Sequence, residues 1–491
     1  MIRRDFLKNM GLFGVATAAP TALLSAAQYT NTLLEVSGRV HATTAGIAGV
    51  QVTDGHSVVL TNSRGEFTLK YHEDARFIYI SLPSGYKIPV DNGVAQFFKP
   101  IDKSNPSKDY EFKLEKLEVD DLNHSFVVWA DTQILSQEDA QLLKTQSAPD
   151  LQKLKEQLPA KHPIHGLGCG DLVWDKFDLF KDYKEALAST GVPFFNVIGN
   201  HDMDIDSRTD EGSTETFEAN FGPTYYSFNR GKAHYVVLDD VFFIGVGKKY
   251  IGYVSEDQFK WLEKDLQNIA KGSLVIVSLH IPTNTGNTRR NGLKEDPLGG
   301  TVANRNKLYA LLKDYNVHIM SGHTHFNEVW EKDSITEHVH GTVCGAWWTS
   351  DICSDGTPNG YGYYTVIGEE LKWQYKSTGK ELDHQMRVYN RGTENTANGE
   401  VVVNIWNWDA KWETEWFEDG RSKGPLTRSM GLDPMAVSLF KGPTLPSKHP
   451  FVEPTLTDHL FKVIPSAAAK KVKITAKDRF GNIYSEEIFL K

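Results

Sequence analysis

Apolar and polar positions fall into three successive textures along the 491 residues. From 34 to 116, short runs alternate with a period of two and are punctuated by Gly, Asp or Pro. The segments 34–40, 49–55, 58–61, 65–70 and 77–81 each read as a strand. No helical period interrupts them, so the pattern predicts a small β-sandwich. From about 117 to 380 the spacing changes, and 136–158, 177–190, 255–270 and 301–315 carry the periodicity of amphipathic helices. Between them lie apolar runs at 126–130, 194–198, 235–238, 274–279 and 317–320, which predict strands covered on both faces. From about 384 alternation returns in 401–408, 471–476 and 483–490 and predicts a second β-sandwich. There Trp406 and Trp408, two apart, are expected to share one strand face as core rather than as a stacking platform.

Composition narrows the class. Hydrophobic residues are 40% and charged residues 24%, which excludes a disordered or fibrous chain. The net charge is −10 and no basic run occurs, so no nucleic-acid-binding surface is expected. Three cysteines cannot build a disulfide framework, and Cys169, inside an apolar strand, reads as a small buried hydrophobe. At the amino terminus Arg3, Arg4 and Lys8 precede an apolar stretch and the small residues Ser25, Ala26 and Ala27, the pattern of an export signal over 1–27. Its opening, Arg3-Arg4-Asp5-Phe6-Leu7-Lys8, resembles a twin-arginine signal. No other stretch is long and apolar enough to span a bilayer. The expectation is an exported protein, periplasmic or at the cell surface, without a transmembrane segment once the signal is removed.

Candidate chemistry sits at the ends of the central apolar runs. The run 126–130 passes into Asp131-Thr132-Gln133, and 164–169 into Gly170-Asp171. The run 194–198 passes into Gly199-Asn200-His201-Asp202, 274–279 ends at His280, and 317–320 passes into Ser321-Gly322-His323-Thr324-His325. Strand ends in a layered α/β fold converge on one edge, where sites form. So many donors at one edge are costly to desolvate without a cation between them. Asp, Asn and His without thiolate point to first-row metals rather than an iron–sulfur cluster or structural zinc.

In this order the blocks Asp-x-Gln, Gly-Asp, Gly-Asn-His-Asp, His and Gly-His-Thr-His resemble the calcineurin-like metallophosphoesterases over about 123–380. The N-terminal sandwich is similar to transthyretin-like modules. Both flanks, the carboxyl-terminal one through Asn404-Ile405-Trp406-Asn407-Trp408-Asp409, resemble those of an exported bacterial branch of that family. The resemblance implies a four-layer α/β/β/α core over 117–380, between β-sandwiches at 34–116 and 384–491. It also implies two divalent or trivalent metal ions, manganese foremost, with iron, zinc or magnesium as alternatives. Asp171 would bridge both ions, Asp131, Gln133 and His325 would complete one site, and Asn200, His280 and His323 the other. The implied reaction is hydrolysis of a phosphate ester by a hydroxide bridging the ions. His201 would bind no metal but would steady the developing charge or protonate the leaving oxygen, oriented by Asp202 or, less in keeping with the family spacing, by Asp175. Gln133 departs from the family, whose first block usually ends in His. A neutral amide oxygen there implies a looser site that favours Mn or Mg over Zn.

Further candidates touch the substrate. Arg289 and Arg290 could clamp a phosphate, and Trp347, Trp348 and Asp351 could form a rim against an organic leaving group. The leading expectation is a phosphodiesterase, and the alternative is a phosphomonoesterase, including a protein Ser/Thr phosphatase. A reading of another class is a glycan-binding surface protein with an inactive core. His124, His162, His165 and His234 have no partner pattern and read as structural.

Overall fold

The structure, a computed structural model, describes residues 34–105, 108–245 and 248–491; the expected export signal at 1–27 lies outside them. Five strands carry the candidate blocks: β1 (Asn123–Trp129), β2 (Ile164–Cys169), β3 (Phe194–Val197), β4 (Leu274–Ser278) and β5 (Asn316–Ser321). β1, β2 and β3 are neighbours in a seven-stranded sheet and pair in parallel. β4 and β5 are parallel neighbours in a six-stranded sheet.

The two sheets stack face to face, and the period of two explains how. In β1, Phe126 and Val128 enter the core between the sheets, where Leu167, Phe195, Phe228, Tyr235 and Ile276 meet them. Val127 and Trp129 point the other way, into a layer with Leu151, Leu154, Tyr183 and Leu187 of the helices Ala148–Gln157 and Phe180–Thr190. The second sheet repeats this arrangement. Val275, Val277, Val317 and Ile319 face outward onto Phe259, Leu262, Leu308 and Leu312 of the helices Glu256–Leu266 and Arg305–Leu312. The result is a four-layer α/β/β/α core. Stacked rings fill its centre, with Phe195 and Phe228 centroids 3.7 Å apart and Phe126 and Tyr364 4.6 Å apart. Both helices expected across 136–158 and 301–315 form. The first has a wide π turn at Leu143–Ser147, and the second is confined to Arg305–Leu312.

Residues 34–116 form two four-stranded sheets, but their apolar interior is continuous with the inter-sheet core. Phe97 packs 4.3 Å from Tyr226, and Val94–Ala95 adds a short strand beside β3. A buried polar hub ties the same regions together. Asp265 accepts hydrogen bonds from Gln51 Nε2 at 2.6 Å, Ser227 Oγ at 2.7 Å and His234 Nε2 at 2.7 Å.

Residues beyond 384 form two further four-stranded sheets around Val401, Val403, Ile405, Phe461, Val472 and Ile474. The paired tryptophans do not share a strand face. The strand stops at Asn404, whose side chain bonds Asp355 O, Asp433 and His459, and the chain then turns, with Trp408 N donating to Ile405 O at 3.1 Å. Trp406 is buried beyond it, while Trp408 lies under the Arg428 guanidinium, 3.8 Å from its ring. Cys169, Cys344 and Cys353 are all buried and free.

Asp265→Ala leaves His234, Gln51 and Ser227 without their shared acceptor in a dry interior. Urea unfolding is expected to show a loss of about 3 kcal/mol or more, whereas Glu263→Ala on the exposed side of the same helix should change stability by less than about 0.5 kcal/mol.

Candidate metal centre

Glycines before the polar residues let the strand ends crowd together. A Cβ on Gly199 would lie 2.3 Å from Asp171 Oδ1, and one on Gly322 would lie 2.4 Å from Asp131 Oδ2. Five of the seven candidate ligands, Asp131, Gln133, Asp171, His323 and His325, have φ between 36° and 67°. Non-glycine residues rarely adopt this left-handed region, and such strain gathers at functional sites. The physical reason here is direction: a side chain just past a strand must turn from its sheet face to the common edge.

At that edge the hydrogen bonds define which atoms are left over. The Cys169 carbonyl can only accept, so His280 donates to it from Nδ1 at 2.9 Å, and Nε2 points inward. His323 likewise donates from Nε2 to Gly299 O at 2.9 Å, leaving Nδ1 inward. These two nitrogens stand 3.2 Å apart. Asn200 Oδ1 is 3.1 Å and Asp171 Oδ1 is 3.3 Å from the same His280 nitrogen. Four lone-pair atoms therefore face one point, and the arrangement calls for positive charge. Burial disfavours a charged His280, yet without a metal ion Asp171 and Asp131 outweigh it and hold its pKa up at about 10, so that a proton on Nε2 stands where a cation would take the lone pair. Burial and the charge on His280 in turn push His323 down to about 4.

A second set lies on the other side of Asp171. Gln133 Nε2 donates to Asp171 Oδ2 at 2.7 Å, while its Oε1 is buried without a hydrogen-bond partner. His325 Nε2 is 3.3 Å from Asp131 Oδ1, and its Nδ1 is also buried and unpartnered. Hard oxygen donors, imidazoles and orphaned buried acceptors fit divalent metal ions at both sets. The supporting contacts are backbone bonds. Asp131 accepts from His323 N, Asp171 from His201 N, and Asp240 Oδ1 from His280 N.

The remaining candidates divide. His201 lines the cavity beside these groups. Asp202, expected to orient it, faces away. It is fully buried, and its two oxygens accept from the backbone N–H groups of Gly199, Leu172 and Val173. Asp175 takes that place, with Oδ1 3.1 Å from His201 Nδ1 and Oδ2 paired to Lys248. A left-handed backbone at Asp175, φ 54°, turns its side chain toward His201 despite the unusual spacing.

Arg289 and Arg290 are not a phosphate clamp. Arg290 is buried against Glu328 and over the Phe326 ring, and both arginines pair with Asp458 of the carboxyl-terminal region. Trp348 donates to Thr132 O at 2.8 Å and packs into the helix–sheet layer, and Asp351 is exposed; neither lines the cavity. Of the five substrate candidates, Trp347 alone does. Sequence reasoning missed Asp240, Trp174, Tyr250 and the segment 449–455. Trp174 sits three residues past Asp171, and Asp240 follows the apolar run 235–238, so both were open to notice; Tyr250 and 449–455 carry no local signal.

Three family models match successive parts of the chain: the N terminal of calcineurin-like phosphoesterase over 34–117, calcineurin-like phosphoesterase over 124–327, and the C terminal of calcineurin-like phosphoesterase over 337–484. No curated protein matches the sequence. Among solved structures, a dimetal phosphatase from Danio rerio is 15% identical with a TM-score of 0.37, covering 52% of this chain and 96% of its own. PhoD is 10% identical with a TM-score of 0.38, covering 77% of this chain and 85% of its own. A purple acid phosphatase from yellow lupin (Lupinus luteus) seeds is 15% identical with a TM-score of 0.38, covering 67% of each chain. Together the three models span most of the described residues, and with them the chain belongs to the calcineurin-like phosphoesterases as a metal-dependent phosphoric ester hydrolase.

Proposed function

We propose that this chain is an exported phosphodiesterase with two metal ions, one held by Asp131, Gln133, Asp171 and His325 and the other by Asp171, Asn200, His280 and His323. The observation that carries the ligand assignment is the inward convergence of the His280, His323, Asn200 and Asp171 lone pairs, with Gln133 Oε1 and His325 Nδ1 orphaned beside them. Ions held by these residues would supply Lewis acidity toward the phosphoryl oxygens and would make water a better nucleophile at neutral pH.

The chain's own side chains do the rest. His201, tethered through Nδ1 to Asp175, turns its other ring nitrogen to the substrate, where it steadies developing charge or delivers a proton to the leaving oxygen. Lys248 fixes Asp175 in turn, and Asp202 holds the turn that presents Asn200 and His201. Room for an organic group is supported by a cavity of about 270 Å³ with an aromatic wall beside the polar floor, and a diester, with two organic groups, uses more of that room than a monoester. Export is supported by the basic and apolar pattern of 1–27, and no helix among the described residues is long and apolar enough to cross a membrane. Manganese is favoured by the amide oxygen of Gln133 where an imidazole would suit zinc.

Reconstituted with Mn, the protein is expected to hydrolyse bis(p-nitrophenyl) phosphate faster than p-nitrophenyl phosphate; the reverse order would make it a monoesterase. His201→Ala should lower kcat by roughly 10²–10⁴-fold while metal content, read by elemental analysis, stays at wild-type level. Asp171→Ala should lose metal and turnover together.

Gln133→His tests the first ligand set. Competition titrations should show its preference shifting from Mn toward Zn by roughly tenfold or more. An unchanged preference would leave Gln133 as a lining residue only. For export, a cell-fractionation experiment with Arg3→Lys and Arg4→Lys together is expected to strand the protein inside the cell.

A further inference from the structure

The geometry points to a subsite for a planar aromatic leaving group, uncharged or carrying no further phosphate, built jointly by the catalytic core and a strap from the carboxyl-terminal region. This deepens the phosphoester reading and rests on it.

One side of the cavity is a continuous run of rings. Trp174 lies 5.4 Å from His201 between ring centroids, and Trp347 stacks on His325 at 4.3 Å. Phe451 joins them, 5.4 Å from Trp347 and 6.1 Å from Trp174, and His449 stacks on Trp174 at 5.1 Å. The wall thus begins at the residue assigned to the leaving oxygen and ends at a proposed metal ligand. A group departing toward His201 leaves along its face. These rings touch one another, so a ligand lies against the wall rather than between its members.

The wall is built, not incidental. The strap that carries Phe451 is pinned at one end by Lys448 paired to Asp139. At the other end Thr455 donates from N to Ser354 O at 2.9 Å and from Oγ1 to Ser354 Oγ at 3.0 Å. Val452 anchors its middle in a small core with Ala346, Ile352, Ala436 and Phe440. Held this way, Phe451 remains 56% exposed, a large apolar surface presented at the cavity mouth. Trp347 and His449 both have left-handed backbones, with φ of 50° and 55°. Bulky side chains seldom occupy that region unless the surroundings impose it, and it clusters at ligand clamps. His449 Nε2 is also buried without a hydrogen-bond partner.

Charge sets the ligand class. No Lys or Arg is among the described residues lining the cavity, and the strap contributes Glu453. The nearby Lys248 and Lys448 are paired to Asp175 and Asp139. Among the lining residues, a leaving group with its own phosphate would therefore find the metal floor for its charge and Glu453 against it. A flat neutral ring finds aromatic faces instead, and stacking on rings that are already ordered costs little further conformational entropy.

Calorimetry on the full metal-loaded chain, with phenylphosphonate and methylphosphonate as non-hydrolysable probes, tests this without relying on turnover. Wild type is expected to bind the phenyl probe roughly tenfold more tightly, and Phe451→Ala to reduce that ratio to about threefold or less. Phe451→Tyr, which keeps the ring, should restore it. Phe451 is largely exposed, so loss of the fold does not confound the variant. Equal affinities in wild type, a ratio untouched by Phe451→Ala, or failure of both probes to bind would overturn the subsite. Absence of ester turnover with the binding ratio intact would instead overturn the phosphodiesterase reading and leave the aromatic subsite standing.

Discussion

Concentrating Asp131 and Asp171 with three imidazoles in a nearly dry edge of the fold is the constraint on which the rest depends. Two carboxylates and several lone-pair nitrogens at that spacing repel one another, and the interior offers little solvent to screen them. The chain meets this with fixed donors on the outer side of each group. Cys169 and Gly299 carbonyls orient His280 and His323, backbone N–H groups hold both carboxylates, and Asp240 seats the His280 peptide. What remains inward is a set of acceptors for cations. The left-handed backbones follow from the same demand, since only sharp turns can bring side chains from two sheets to one point.

The flanking regions belong to this economy rather than hanging from it. The amino-terminal sheets share the central apolar interior and the Asp265 hub, so they brace the core from within. The carboxyl-terminal region reaches the chemistry itself. Arg289 and Arg290 meet Asp458, His459 meets Asp355 at 2.9 Å, and Asn327 donates to Trp406 O at 2.8 Å, which fixes the region against the catalytic edge. That fixation lets the 448–455 strap form part of the cavity wall. Charges that look like substrate clamps along the chain are therefore spent on docking one region to another.

The two acids around His201 show how similar residues are divided by position. Asp202 is adjacent in sequence but enclosed by three N–H donors, and burial beside Asp171 pushes its pKa up to about 7. Asp175, less buried, keeps its carboxyl below the ordinary value: burial opposes this, and His201 and Lys248 outweigh it. One acid shapes the turn and the other serves the histidine. Their roles could not be divided by spacing alone, because a left-handed backbone at Asp175 turns its side chain to His201.

Strand and helix texture, the order of the five polar blocks and the type of chemistry were legible in the sequence, because they depend on local periodicity and on residue types that water would otherwise claim. The same blocks carried all seven candidate ligands, since each follows directly on an apolar strand. What the sequence left open was decided by contacts between segments far apart in the chain. Tertiary packing assigned Asp175 rather than Asp202 to His201, paired Arg289 and Arg290 with Asp458, and packed Trp348 against the helix–sheet layer while Trp347 lined the cavity. It also brought Phe451 and His449 beside Trp174, more than 270 residues away. Periodicity reports which face of an element is apolar, but only the closed fold determines what that face meets.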